Sequence, residues 1–140
     1  MHKYLGSSEE TEQFGAELYH LLAVKSVVFL HGDLGAGKTT LVRGYLRAAG
    51  YAGTVKSPTY NIVEEYLIND KKIYHFDLYR MNSPEELEWI GINDYFKQES
   101  ICFIEWPNQG EGYLPQADTV ISLRVEGSGR VVELSHRLSE

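Results

Sequence analysis

Gly32-Asp33-Leu34-Gly35-Ala36-Gly37-Lys38-Thr39 is the stretch on which the reading of this chain turns. It fills every fixed position of the pattern G-x-x-x-x-G-K-[ST], the Walker A pattern. A short apolar run at 27–31 precedes it and predicts a buried strand. Leu41, Val42, Tyr45, Leu46 and Ala49 follow at helical spacing, and Gly50 is placed to end that helix. A glycine-rich segment between a strand and a helix has the chemistry to cradle phosphate. Glycines let backbone N–H groups turn inward and approach phosphate oxygens closely. The helix N-terminus adds unpaired donors and partial positive charge. Lys38, expected to stand exposed in the loop, supplies a mobile cation for β- and γ-phosphates. The Thr39 hydroxyl has the reach to ligate a Mg²⁺ that bridges the same phosphates. An ordinary glycine-rich turn with an incidental lysine would not need the flanking strand and helix.

Outward from the loop, Ser7 and Glu10 predict a capping box before a helix with Phe14, Leu18, Leu21 and Leu22 on one face. Residues 60–68 and 72–79 are rich in tyrosine and β-branched side chains. With Asn69-Asp70 between them, they predict a β-hairpin. Ser83-Pro84-Glu85-Glu86 reads as a helix start, with Leu87 and Ile90 as its apolar face. Residues 100–106 read as another buried strand. Residues 119–125 and 130–135 read as a closing hairpin around Glu126-Gly127-Ser128-Gly129. The predicted fold class is α/β: a P-loop NTPase-like three-layer domain with a mixed central sheet, its edge extended by hairpins. Residues 1–140 are expected to form one P-loop ATPase domain.

The 43% hydrophobic and 24% charged residues are ordinary globular usage, which argues against disorder. The net charge of -7 predicts a field that repels nucleic acid, so any RNA is expected to be held by a partner. Cys102 is the single cysteine, inside an apolar run. That excludes a disulfide framework and predicts a small buried side chain. The first residues carry no apolar signal core, and no stretch is long and apolar enough to span a membrane. A cytoplasmic location follows by elimination. His2, His20, His31, His75 and His136 show no metal-ligand spacing.

A Mg²⁺ site beside such a loop needs a second anchor, a carboxylate at the end of a neighbouring strand. Glu105 ends the run Ile101-Cys102-Phe103-Ile104, and Asp77 follows Ile73-Tyr74-His75-Phe76. Both are candidates, with Glu105 preferred. Ser57-Pro58-Thr59 lies between the loop's helix and the first hairpin, a place for hydroxyls that sense a γ-phosphate. A plain turn set by Pro58 is the competing reading.

The loop with Thr40, then Ser57-Pro58-Thr59, then His75-Phe76-Asp77-Leu78-Tyr79-Arg80, then Ile104-Glu105-Trp106 occur in this order and at fitting intervals. Together they resemble the bacterial TsaE family, the small ATPase of tRNA threonylcarbamoyladenosine biosynthesis, over essentially the whole chain. The resemblance implies binding of ATP and Mg²⁺ and weak ATPase activity in isolation. It also implies action with a threonylcarbamoyl transferase and its paralogous partner subunit, which modify adenosine 37 of tRNA. By position it assigns Asp33, Leu34, Gly35, Ala36, Gly37, Lys38, Thr39 and Thr40 to ATP, and Thr39 and Glu105 to Mg²⁺. Asp77 falls on the acid of the family's catalytic block, where it would act with Lys38. Ser8 falls in the region that approaches the nucleotide base. Ser57, Thr59, Arg80 and Trp106 become switch or partner contacts.

Other classes fit less well. A small-molecule kinase would share the loop but should carry an arginine-bearing lid. Arg43, Arg47, Arg80, Arg124, Arg130 and Arg137 are scattered, and no insertion is long enough for a lid. Arg43 and Arg80 are the arginines that folding is expected to be able to bring near the loop. A GTPase should carry Asn-Lys-x-Asp, which the sequence lacks. A non-catalytic nucleotide switch, in which ATP only orders a surface, is the third reading.

Overall fold

A computed structural model describes residues 1–58 and 60–137. The chain opens with β1 (His2–Leu5), α1 (Ser8–Leu21), β2 (Ser26–His31) and α2 (Lys38–Ala49). It continues with β3 (Val63–Ile68), β4 (Lys71–Asp77), α3 (Glu86–Trp89), α4 (Ile92–Lys97) and β5 (Ser100–Glu105). A 3₁₀ turn (Pro107–Gly110), β6 (Thr119–Glu126) and β7 (Gly129–His136) complete it. Among the described residues, the strands form one sheet in the order β1-β7-β6-β2-β5-β4-β3. β6, β2, β5 and β4 run parallel, while β1–β7, β7–β6 and β4–β3 are antiparallel pairs. The sheet is therefore mixed, as the sequence predicts.

Both faces of the central strands are covered, which explains their unbroken apolar runs. Val28 and Leu30 of β2 and Ile101 and Phe103 of β5 pack with Phe14, Leu18, Leu41, Val42 and Leu46 of α1 and α2. Alternate residues, Cys102 and Ile104 with Val27 and Phe29, face a second cluster holding Leu87 and Ile92 of α3 and α4. Cys102 is buried, and burial pushes its thiol pKa up to about 11, so it behaves as a small core residue. Among the described residues, no helix is long and apolar enough to cross a membrane.

Local chemistry sets most boundaries. The Ser7 hydroxyl accepts from the Glu10 N–H at 3.2 Å and starts α1. Gly50, at φ 107°, ends α2. Asn69 and Asp70 both have positive φ, 49° and 68°, as a two-residue hairpin turn requires. The Glu86 carboxylate accepts from the Ser83 N–H at 3.1 Å, the reciprocal arm of the capping box. The helix it starts is short, because Gly91 turns into the left-handed region at φ 72° and α4 begins anew.

Three features depart from the sequence reading. His2–Leu5, to which the sequence reading assigns no element, forms β1 against β7. The closing hairpin therefore does not make the edge: β6 lies directly beside β2, and β1 covers β7. The first hairpin begins at Val63, because residues 60–62 turn and Ile62 sits at φ 65°.

α1 and α2 cross at two glycines. A Cβ on Gly15 would lie 1.9 Å from the Leu41 carbonyl oxygen, and one on Gly44 would lie 1.9 Å from that of Glu12. Helix propensity alone favours alanine over glycine by about 1 kcal/mol. The crossing reverses that sign. Gly44→Ala is expected to lower stability by about 3 kcal/mol, the upper range for overpacking. Urea denaturation followed by circular dichroism measures it, and an unchanged or raised midpoint would contradict so close a crossing.

Candidate functional site

The loop at 32–37 leaves the C-terminal end of β2 and enters α2, so the parallel strands on either side deliver their own ends to it. Register decides which residues arrive. Leu30 of β2 stands beside Glu105 of β5, and Glu105 beside Asp77 of β4. Neighbouring strands lie about 4.8 Å apart, so both candidate carboxylates come to the rim next to Gly32.

Gly37 is the N-cap of α2 at φ 106°, a conformation suited to glycine, and among the described residues no side chain caps this helix. The N–H groups of its first turn, at Lys38, Thr39 and Thr40, are thus available to an anion. Gly32 is needed for a different reason. A Cβ there would come 2.7 Å from the Leu123 carbonyl oxygen and 3.2 Å from the Ala36 side chain.

Lys38 is not exposed, contrary to the sequence expectation. Its side chain is only 5% accessible. The ammonium donates to the Gly32 carbonyl, faces Glu105 Oε1 at 3.5 Å and lies 4.6 Å from the centre of the Trp106 ring. A lysine beside a carboxylate folds inward when a carbonyl and an aromatic face complete its surroundings. Trp106 is turned over it by a left-handed backbone, φ 56°, and its ring also meets Tyr79 at 4.9 Å.

Glu105 is held from both sides. Its other oxygen, Oε2, lies 2.5 Å from His75 Nε2, a contact between buried groups. The sequence favours a structural hydrogen bond for His75, and the bond is made to Glu105. His75 Nδ1 and Trp106 Nε1 are buried and have no hydrogen-bond partner among the described residues. Burial raises the pKa of Asp77 above the usual carboxylate range, and the nearby Glu105 charge adds to this. The Tyr79 N–H, donating to Asp77 Oδ1 at 3.0 Å, acts in the opposite direction, as do Lys38 and His75. His31, at the end of β2, has its pKa lowered, first by burial and then by the Lys38 charge.

Ser8 opens α1 and lines a cavity of about 250 Å³ with Thr11, Gly35, Gly37, Thr40 and Arg130. The structure therefore brings Ser8 to the loop. A larger cavity, about 820 Å³, lies at the opposite end of the sheet among Ser26, Asp118, Thr119 and Arg137. It touches no loop residue, so its size does not make it the functional site. Asp33, Leu34 and Gly35 are exposed, Ala36 is buried, and Thr39 is half-buried at the start of α2. Ser57 is exposed, and Thr59 lies outside the described residues. Arg80, exposed, lies over the Tyr60 ring at 4.7 Å, and Arg43 pairs with Glu12 at 3.4 Å. The arginine that reaches the loop is Arg130. It donates to the carbonyls of Ala36 at 2.9 Å and Gly35 at 3.1 Å. Nothing local marks it, because only the packing of β7 beyond β6 carries it there.

The hydroxyl of Thr39 and the carboxylate of Glu105 are hard oxygen donors. They suit Mg²⁺, which takes few protein ligands and completes its shell with water and phosphate oxygens. Among the described residues, no group of three or more His, Cys, Asp and Glu side chains could hold a metal alone.

Comparison with known proteins follows the same elements. Residues 5–132 match the family model described as threonylcarbamoyl adenosine biosynthesis protein TsaE. The chain is similar to the tRNA threonylcarbamoyladenosine biosynthesis protein TsaE of Haemophilus influenzae. They are 53% identical over 124 residues, which cover 88% of this chain and 78% of that protein. The TsaE protein of Borreliella burgdorferi is 38% identical over 132 residues, covering 92% and 95%. The crystal structure of Bacillus subtilis YdiB superposes with a TM-score of 0.79 at 28% identity, covering 94% of this chain and 82% of that one. The match runs from the end of β1 into β7, through every strand and helix that shapes the loop, and the chain belongs to the TsaE family.

Proposed function

We propose that this protein is a Mg²⁺-dependent ATPase, weak in isolation, that supports threonylcarbamoylation of adenosine 37 in tRNA together with a transferase and its paralogous partner subunit. The observation that carries the reading is the meeting of Lys38 and Glu105 at the uncapped start of α2. A cation, a carboxylate and a row of unpaired N–H groups at one strand end are what nucleoside triphosphate phosphates and their metal require. The names of the relatives supply the tRNA context.

In this reading the N–H groups of the loop and of the first turn of α2 hold the phosphates. The Lys38 ammonium leaves the Gly32 carbonyl and Glu105 for the phosphate oxygens, a short movement because it already lies beneath the loop. Thr39 and Glu105 would hold Mg²⁺, which when bound supplies charge that offsets the β- and γ-phosphates. His75 keeps Glu105 oriented. Asp77, one strand further out, positions the attacking water, and burial favours its ability to accept a proton. Ser8 borders the cavity that would take the nucleoside. Ser57, Thr59, Arg80 and Trp106 would report the nucleotide state to the partners, and tRNA would be held through those partners. A cytoplasmic location accords with this role. Arg43 and Arg80 are engaged with Glu12 and Tyr60, so a partner is expected to supply the cation that an efficient hydrolase needs.

Lys38→Ala is expected to reduce ATP turnover about 100-fold, the scale for losing a charged transition-state donor. Because Lys38 is buried, the same change leaves Glu105 without its cation, so the fold is checked by circular dichroism. Equal turnover by the folded variant would reject the loop assignment. Glu105→Gln should raise the Mg²⁺ concentration for half-maximal activity about tenfold while metal-free nucleotide binding changes less. An unchanged Mg²⁺ titration would remove Glu105 from the metal site. Asp77→Ala should lower partner-stimulated turnover about 100-fold, the middle of the range for a general base, with a much smaller change in ATP affinity by calorimetry. Full stimulated turnover in that variant, or fast turnover by the isolated parent, would reject the mechanism. Nucleotide-dependent partner binding without any turnover would identify a switch instead.

A further inference from the structure

The β6–β7 hairpin supports the loop at two points. Under its first residue, the Leu123 carbonyl of β6 leaves no room for a side chain at Gly32. Behind its middle, the Arg130 guanidinium of β7 donates through Nε to the Ala36 carbonyl at 2.9 Å and through Nη2 to the Gly35 carbonyl at 3.1 Å. The remaining Nη1 donates to the Gly129 carbonyl at 2.9 Å, which anchors the guanidinium to its own strand. Two consecutive carbonyls thus converge on one planar cation.

A peptide unit is planar, and its C=O and N–H point in opposite directions. Fixing the Ala36 carbonyl on Arg130 therefore fixes the Gly37 N–H away from Arg130, at the N-cap of α2 where an anion would sit. Fixing the Gly35 carbonyl likewise sets the Ala36 N–H, which closes the loop onto the Asp33 carbonyl at 3.0 Å. Glycines at φ 81° and 106° flank this pair of peptides and would otherwise allow them to rotate. We propose that Arg130 is a positioning residue. By gripping the carbonyls of Gly35 and Ala36 from behind, it holds the loop in its phosphate-accepting conformation without touching phosphate. This rests on the reading of 32–39 as a phosphate loop. Arginine suits the task because its fork spans two acceptors, whereas a lysine is a single point.

The test uses the full chain and two probes, pyrophosphate and ADP, titrated by calorimetry into the parent, Arg130→Ala, Arg130→Lys and Lys38→Ala. Arg130→Ala is expected to bind both probes about tenfold more weakly, the loss of roughly one charge-assisted hydrogen bond. Arg130→Lys should recover only part of this. Amide exchange of the nucleotide-free protein should quicken in 32–38 while β1 and β6 keep their protection. Pyrophosphate affinity within about twofold of the parent in Arg130→Ala, with ADP weakened, would place Arg130 on the nucleoside and overturn the proposal. Faster exchange throughout β1, β6 and β7 would reduce Arg130 to hairpin packing and also overturn it. If Arg130→Ala fails to fold, Arg130→Lys decides: full parental affinity and loop protection would refute the fork. Parental pyrophosphate binding by folded Lys38→Ala would instead bring down the phosphate-loop reading itself.

Discussion

A buried ammonium is the constraint around which this molecule is arranged. Lys38 is as inaccessible as its partner Glu105, and a charge in such a place is tolerated only when fully partnered. Its partners come from three directions: the Gly32 carbonyl, the carboxylate at the end of β5 and the face of Trp106. Each depends on something else. Gly32 must lack a side chain because β6 passes beneath it, Glu105 is turned by His75, and Trp106 needs a left-handed backbone. A phosphate group with its higher charge would draw on the same ammonium, so this resting arrangement and nucleotide binding share one cation.

The parallel part of the sheet makes this convergence possible. β6, β2, β5 and β4 end on the same side, and their register sets Leu30, Glu105 and Asp77 abreast. The two acids are separated by 28 positions in the chain, yet they are neighbours because parallel pairing aligns strand ends. Helices cover both faces of these strands, and both carboxylates are buried. Burial consequently dominates the upward shift at Asp77.

The hairpin that follows has a supporting role that its own sequence conceals. Its strands carry alternating side chains like any half-covered ribbon, and Arg130 sits where an exposed charge would cause no surprise. In the folded chain that arginine lies against two loop carbonyls. The same loop is thus shaped from the front by its glycines and from behind by a strand nearly one hundred residues later in the chain.

The sequence alone determined the strand–loop–helix unit, the capping of α1, the turn at Asn69-Asp70, the unbroken apolar run of β5 and the family resemblance. These are local patterns, each set by backbone freedom or hydrophobic period within a few residues. It also named Glu105 and Asp77 as rim acids, since a charge closing an apolar strand has few other places to go. Tertiary structure alone decided that Lys38 is buried, that His75 serves Glu105, that β1 closes the sheet edge and that Arg130 reaches the loop. Those outcomes depend on strand order and register, which bring together groups from 30 positions apart, as His75 and Glu105, to 131 apart, as His2 and Glu133. No period or cap in a single segment encodes such a meeting. It exists only once burial of the two core faces has fixed which strand lies beside which.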